Sequence, residues 1–169
     1  MEGQAGVSTV TDITLVVAGK AVGKGRPRFD PRTRRAYTDS TTRLAERRVQ
    51  AEWIAAGRPR LPDGAIVMTI EIAVARPQSH LRTNGELNAA GLRAPWPLRK
   101  PDVDNAAKNF ADALSGLAFR DDKDIVHLWV LRRWCQAGEH EHTLIRLRPA
   151  PEPAAQVQAV TPLDGRWAA

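Results

Sequence analysis

Alternation of hydrophobic and polar positions predicts four strands along the chain. It is clearest over residues 65–75, where the even positions from 66 to 74 are Ile, Met, Ile, Ile and Val. Residues 11–18 alternate in the same way and are rich in β-branched side chains, and residues 125–134 and 143–148 are also predicted to be strands. The last two segments are expected to pair as a hairpin across Gly138.

Two other segments have the period of a helix. Residues 41–56 follow the possible caps Asp39 and Ser40, and their inward positions are predicted to be Leu44, Val49 and Trp53. In residues 103–115 the apolar positions are 103, 106, 107, 110, 111 and 114, the stripe of a core-facing helix, and Gly116 follows as a stop signal. The chain therefore combines strands with two main helices.

Two regions show neither period. Residues 76–100 are rich in proline and positive charge and include Trp96, and an aperiodic stretch of this length in a small domain is usually functional or disordered. From residue 149 onward the sequence is rich in proline and alanine, which favours disorder. We predict one domain over residues 1–148 and a disordered tail over 149–169.

The charge balance points toward a polyanionic partner. The 169 residues include 25 Lys and Arg against 19 Asp and Glu, a formal net charge of +6 and a pI of about 10.2. Nucleic acid is the commonest polyanion in a cell, although an incidentally basic surface explains the charge equally well. The lone Cys135 allows no disulfide within the chain. With no signal-peptide pattern and no long apolar run, a cytoplasmic protein is expected.

Positive charge is concentrated in residues 20–35, where Asp30 is the only acid. Phosphate contact is the favoured interpretation of this segment, ahead of a merely solvated loop. Gly23 and Gly25 would let the backbone approach a neighbour closely. The side chains predicted to contact DNA are Lys24, Arg26, Arg28, Arg34, Arg35 and Lys100.

Negative charge is concentrated in two short segments, which contain Asp102, Asp104, Asp121, Asp122 and Asp124. Two carboxylates about 4 Å apart repel each other by about 4 kcal/mol at an effective dielectric near 20, so a cluster favours a bound cation such as Mg²⁺. The helix and its following loop could bring the two segments together. A structural alternative stays open, in which Asp102 caps the helix, Asp104 pairs with Lys108 and Asp121-Asp122 forms a polar turn.

These residues also resemble a known family. The run Lys100-Pro101-Asp102-Val103-Asp104-Asn105-x-x-Lys108, followed by Asp112-Ala113-Leu114-x-Gly116 and Asp121-Asp122, is similar to the core motif of the RusA family of Holliday junction resolvases. Residues 23–28, followed by Tyr37-Thr38, resemble the basic N-terminal segment of that family. The resemblance extends from about Val16 to Trp134.

The resemblance implies a single domain with a mixed α/β (α+β) fold and a homodimeric endodeoxyribonuclease that resolves branched DNA by paired cleavage. It also implies Mg²⁺ or Mn²⁺ at Asp102, Asp104 and Asp122, with Lys108 as the catalytic lysine. The apolar strand 65–75 fits either the dimer interface or a central strand covered on both faces.

Two rival functions remain to be weighed. The first is a non-catalytic basic DNA-binding protein, which would gain nothing from acids clustered near phosphate. The second is an Asp-x-Asp phosphotransferase of the haloacid-dehalogenase kind, whose motif follows a buried strand, whereas Asp102 follows Leu98-Arg99-Lys100-Pro101.

Overall fold

A computed structural model describes residues 12–26, 28–37 and 39–152 of the chain. It confirms a single α+β domain whose main sheet is mixed and has the strand order β1-β6-β4-β5. The sheet strands are β1 (Ile13–Ala18), β4 (Ile66–Val74), β5 (Ile125–Trp134) and β6 (His142–Pro149), and a separate hairpin is formed by β2 (Arg28–Asp30) and β3 (Arg35–Tyr37). The helices are α1 (Ser40–Ala55), α2 (Ala89–Arg93) and α3 (Val103–Leu114), with single 3₁₀ turns at Gln78–His80 and Asp122–Asp124.

The strand pairing corrects one prediction. β5 and β6 do not form a hairpin across Gly138, because β4 lies between them, antiparallel to β6 and parallel to β5. Alternation predicts which face of a strand is buried, but it says nothing about which strand lies beside it. The parallel pair β4–β5 requires a crossover connection, and residues 75–124, with α2 and α3, provide it.

The core lies between one face of the sheet and the helices α1 and α3. Alternate residues of β4 and β6 are fully buried there and pack against Phe110 and Leu114 of α3. Helix α1 faces this core through Thr42, Ala45 and Val49. The predicted inward position of Leu44 is wrong, since this side chain is 69% exposed, while Val49 is buried as predicted and Trp53 is partly buried against the core.

Strand β5 forms one edge of the sheet. It pairs with β4 on one side, and no strand of the described residues pairs with it on the other. Val126, Leu128 and Trp129 are 64%, 48% and 49% exposed, an unusual concentration of apolar surface on an edge strand. The apolar strand β4 is instead the central strand of its pairings, with neighbours on both sides.

Two further predictions concern the C-terminal tail and the absence of a membrane-spanning helix. Beyond β6, the Ala150 amide donates to the Ala65 carbonyl at 2.8 Å, and residues 153–169 of the predicted tail lie outside the described residues. Within the part of the chain that the structure covers, no helix has both the length and the apolarity to cross a membrane.

Candidate metal and DNA-binding site

The first turns of α3 carry three exposed charged side chains, those of Asp102, Asp104 and Lys108. Asp102 occupies the N-cap position, yet its carboxylate makes no capping hydrogen bond. Among the described residues, Asp104 and Lys108 form no ion pair with each other or with another side chain. The structural alternative for this segment therefore lacks the contacts that it requires.

The segment leading into α3 is fixed from β5. The Arg132 guanidinium donates hydrogen bonds to the carbonyl oxygens of Arg99 and Pro101. Lys100 lies between these residues with its side chain exposed, and its peptide bond to Pro101 is cis. Asp102 thus follows a loop and not a buried strand, which argues against the haloacid-dehalogenase kind of site.

The basic segment docks against the start of α3. The Lys24 amide donates to the Asn105 carbonyl at 3.0 Å, and a Cβ atom on Gly23 would lie only 2.8 Å from the Asn105 side-chain nitrogen. The Gly25 amide donates to the Thr42 hydroxyl at 2.9 Å. The glycines do permit a close approach, as predicted, and in the folded chain that approach is to α1 and α3.

Lys24 differs from the other predicted DNA contacts because two carboxylates already hold it. Its ammonium lies 2.6 Å from Glu46 and 2.8 Å from Asp112. Burial alone lowers the pKa of Lys24, but hydrogen bonds and attraction from Asp112 and Glu46 outweigh it, so the pKa is raised. The lysine therefore fixes the basic loop to α1 and α3, and little of its charge is left for phosphate.

The remaining predicted DNA contacts are exposed wherever they can be described. Arg26 and Arg35 are exposed, and Arg34 is exposed in the turn between β2 and β3 with a φ of 52°. Arg28 lies in β2, but its side chain is outside the described residues. DNA binding by these arginines and Lys100 stays a prediction.

The second acidic segment divides into paired and unpaired carboxylates. Asp124 is 9% exposed and accepts two hydrogen bonds from Arg120, at 3.0 and 2.9 Å. Asp121 accepts from the Lys123 amide at 3.1 Å, and this bond, a side-chain bond with Asp122 and the Lys123 ammonium together lower the pKa of Asp121. Asp122 is exposed and, within the described chain, forms no ion pair. It is the carboxylate of this segment best placed for a ligand.

Within one chain, Asp122 does not reach Asp102 and Asp104. Helix α3 has 12 residues and is about 18 Å long, with Asp102 before its first residue and Asp122 beyond its last. Across residues 12–26, 28–37 and 39–152, no three His, Cys, Asp or Glu side chains lie close enough to hold a metal ion. The expected convergence of the two acidic segments is therefore absent from the single chain.

Sequence reasoning missed two residues near this site. Arg132 and Trp134 follow Leu128 and Val130 on the face of β5 that points toward the helices, as their pairing with Ile72 and Val74 shows. Arg132 fixes the loop before Asp102, and the Trp134 indole donates to the Ala94 carbonyl at 2.8 Å. The available signal was an arginine that interrupts an otherwise apolar series at every second position.

Two comparisons with known proteins extend this picture. The family described as "Endodeoxyribonuclease RusA" matches residues 18–146, most of the chain. A protein of Bacillus subtilis (strain 168), named "Uncharacterized protein YqaN", is 28% identical over 120 residues, which cover 70% of this chain and 84% of that protein. The family match includes the basic segment, both acidic segments and Arg132.

Proposed function

Because the chain belongs to the RusA family of endodeoxyribonucleases, hydrolases that act on DNA phosphodiester bonds, we propose that it resolves four-way DNA junctions by paired, metal-dependent cleavage. The observation that carries this proposal is the exposed pair Asp102 and Asp104, whose carboxylates have no partner in the described chain. The basic segment packs directly against the same end of α3. DNA held by that segment would lie beside these carboxylates.

The residues present fit a hard divalent cation. Asp102 and Asp104, together with Asp122 of the partner subunit, would hold Mg²⁺ or Mn²⁺ through carboxylate oxygens, the ligands that these ions prefer. When bound, the metal lowers the pKa of a coordinated water and neutralises charge on the scissile phosphate. The exposure of all three carboxylates leaves them accessible to both an ion and a phosphate.

Lys108 is suited to act on the same phosphate. It lies one helical turn after Asp104, on an exposed surface of α3. Its neighbour one turn further on, Asp112, is already engaged by Lys24 at 2.8 Å. The Lys108 ammonium therefore keeps its charge available to stabilise the transition state or the leaving oxygen.

The separation of the acidic segments supports a site shared between two chains. Strand β5 begins just after Asp122 and ends beside the loop before Asp102, which Arg132 fixes. Two β5 edges paired antiparallel about a two-fold axis would place the start of one strand beside the end of the other. The partner's Asp122 would then complete the metal site of Asp102 and Asp104, and the dimer would contain two such sites.

The function is tested with a synthetic four-way junction and a linear duplex of the same sequence, each with Mg²⁺, with Mn²⁺ and with EDTA. We expect two symmetric cuts in the junction with a metal ion, none with EDTA, and an intact duplex. If the protein binds the four-way junction tightly but cuts it with neither Mg²⁺ nor Mn²⁺, the result contradicts the proposal and favours a non-catalytic DNA-binding protein.

The dimer is tested at the exposed edge. Trp129→Lys on β5, at a side chain that is 49% exposed on the face away from the helices, should convert a dimer into a monomer in light scattering and abolish cleavage without loss of secondary structure, because a charge would enter the proposed interface. Val16→Lys is the matched control, since Val16 is 53% exposed on β1, at the opposite edge of the sheet. A wild-type protein that stays monomeric on junction DNA would exclude the shared site.

A further inference from the structure

The segment 76–100 encloses a cleft beside the end of β5. The cleft has a volume of about 330 Å³, and its walls include His80, Arg93, Trp96, Arg99 and Trp134. The described residues that line it include two arginines and no carboxylate. The cleft therefore combines aromatic rings and guanidinium groups with the apolar side chains of Pro77, Ala94, Pro95 and Leu98.

Trp134 forms the fixed wall of this cleft. Its indole nitrogen donates to the Ala94 carbonyl at 2.8 Å, and the His80 ring meets it edge-on at a centroid distance of 5.7 Å. The guanidinium carbons of Arg76 and Arg99 lie 4.9 and 5.3 Å from the ring centre, within the range of cation–π attraction. These contacts fix the segment before any ligand is present.

Other side chains that line the cleft are left exposed by the fold. Trp96 is 53% exposed and Leu98 is 90% exposed, although the loop around them is anchored to the sheet. Arg93 is exposed at the end of α2 and, in the part of the chain described, has no ion-pair partner. An exposed indole beside a free guanidinium matches a ligand with both a flat ring and a negative charge.

The cleft is also tied to the proposed metal site. Arg99 lines the cleft and lies three residues before Asp102, so at most about 11 Å separate their Cα atoms. Arg132 holds the carbonyls of Arg99 and Pro101, which limits movement between the two places. A ligand in the cleft would therefore lie close to the phosphate presented to Asp102 and Asp104.

We propose that this cleft binds one unpaired nucleotide of the DNA substrate, with the base stacked on Trp96 and the phosphate contacting Arg93. A duplex keeps its bases stacked on each other, so only an unpaired or extruded base can present its face to an indole. This inference rests on the proposed function, because it assigns the cleft to the strand that crosses the metal site. It would make the recognition of opened strands at a junction a property of segment 76–100.

The test measures binding by fluorescence anisotropy in EDTA, with a labelled oligo-dT strand and a labelled four-way junction, over a series of salt concentrations. Trp96→Ala should weaken binding of the single strand at least about fivefold without changing the salt dependence, and Trp96→Phe should restore most of it. Arg93→Ala should lower the slope of log K against log [salt] by about 0.7 on the single strand.

Matched controls are available in the same segment. Leu92 is 67% exposed on α2, and Arg82 forms an exposed pair with Glu86; neither lines the cleft. Leu92→Ala should leave binding unchanged, and Arg82→Ala should leave the slope unchanged. Wild-type affinity in Trp96→Ala, or an equal loss in Leu92→Ala, would overturn the inference. Junction cleavage by the wild-type protein is scored separately, so failure of the proposed function is distinguishable from failure of the cleft.

Discussion

The two ends of α3 both carry carboxylates, but only one end uses them to hold the fold together. Beyond the C-terminal end, Asp124 is buried under a bidentate contact with Arg120, and Asp121 is held by Lys123. At the N-terminal end, Asp102 and Asp104 are exposed and have no such partners among the described residues. From sequence position alone, a carboxylate that holds the fold together cannot be distinguished from one that is open to a ligand.

The difference separates charges that stabilise the chain from charges that are available to a ligand. A carboxylate that already accepts two charged hydrogen bonds would have to lose them in order to bind a metal ion. An exposed carboxylate loses only water. By this criterion Asp102 and Asp104 belong to the available set, and Asp124 does not. Asp122 also belongs to it, since it has a side-chain bond with Asp121 but no cationic partner in the described chain.

The strongest test of this comparison substitutes one carboxylate from each set in separate variants. Asp104→Asn should reduce junction cleavage by more than about 100-fold while the Tm stays within about 2 °C of wild type, because an exposed metal ligand contributes little to folding. Asp124→Asn should instead lower the Tm by roughly 3 °C, since it breaks a charged pair on a buried residue. Cleavage assays and thermal unfolding followed by circular dichroism give both values. An Asp104→Asn enzyme that still cuts at near wild-type rate would remove Asp104 from the site.

The second test asks whether the two ends of α3 meet across a dimer. Asp104→Asn and Asp122→Asn are each expected to be inactive as pure proteins. If the two chains share each site, a heterodimer of these variants has one site that carries both changes and one intact site. In an equal mixture about half of the dimers are heterodimers, so about a quarter of the sites should be active. Sites built within one chain would recover nothing. Nicking of a supercoiled plasmid bearing a cruciform detects the single active site.

The basic segment allows the same comparison between Arg26, which is exposed, and Lys24, which is already paired with Glu46 and Asp112. Arg26→Ala should lower the slope of log K for junction DNA against log [salt] by about 0.9, because an exposed phosphate contact is lost. Lys24→Ala should leave that slope unchanged and lower the Tm, because Glu46 and Asp112 lose their shared partner. Equal slopes for Arg26→Ala and wild type would mean that Arg26 does not neutralise a phosphate.

Local periodicity predicted the elements themselves well. The strand over 65–75 was observed as Ile66–Val74, and the helix over 103–115 as Val103–Leu114 with Gly116 just beyond it in a left-handed conformation. Both patterns depend only on which face of an element is buried, and neighbouring residues specify that face. The motif residues Asp102, Asp104 and Lys108 were identified differently, from the concentration of negative charge and from the resemblance to the RusA family.

Long-range arrangement could not be predicted from the same patterns. The placement of β4 between β5 and β6 depends on a crossover of residues 75–124, which alternation does not encode. The separation of Asp102 from Asp122 was likewise not fixed by the sequence, because the segment between the end of α3 and Asp122 is long enough to run back along the helix. The sequence of residues 76–100 shows no helical or strand periodicity. These residues do not bury one regular face, and their structure depends instead on contacts with Trp134.

An ion-paired carboxylate near the end of β5 gives a prediction for stability alone. Arg133 joins Glu71 of β4, at 2.6 Å, to Glu139 in the loop after β5, which it contacts at 2.6 and 2.7 Å. The Arg133 guanidinium and then the Gln136 amide lower the pKa of Glu139 from 4.5 to about 2. The carboxylate therefore stabilises the fold only while it is ionised.

The sign of the pH dependence follows from the direction of that shift. With the folded-state pKa below the ordinary value, the contribution is fully present above pH 4.5 and is lost as the pH falls through about 2. Glu139→Gln should therefore lower the Tm by a few degrees at pH 7, and the difference from wild type should shrink between pH 4.5 and 2. Glu86→Gln, in an exposed pair at 3.8 Å, should change the Tm by less than about 1 °C at pH 7. Thermal unfolding of the three proteins at pH 7, 4.5 and 2.5 measures these values. If the Tm difference between Glu139→Gln and wild type stays constant over this range, the ion pair of Glu139 with Arg133 does not stabilise the fold.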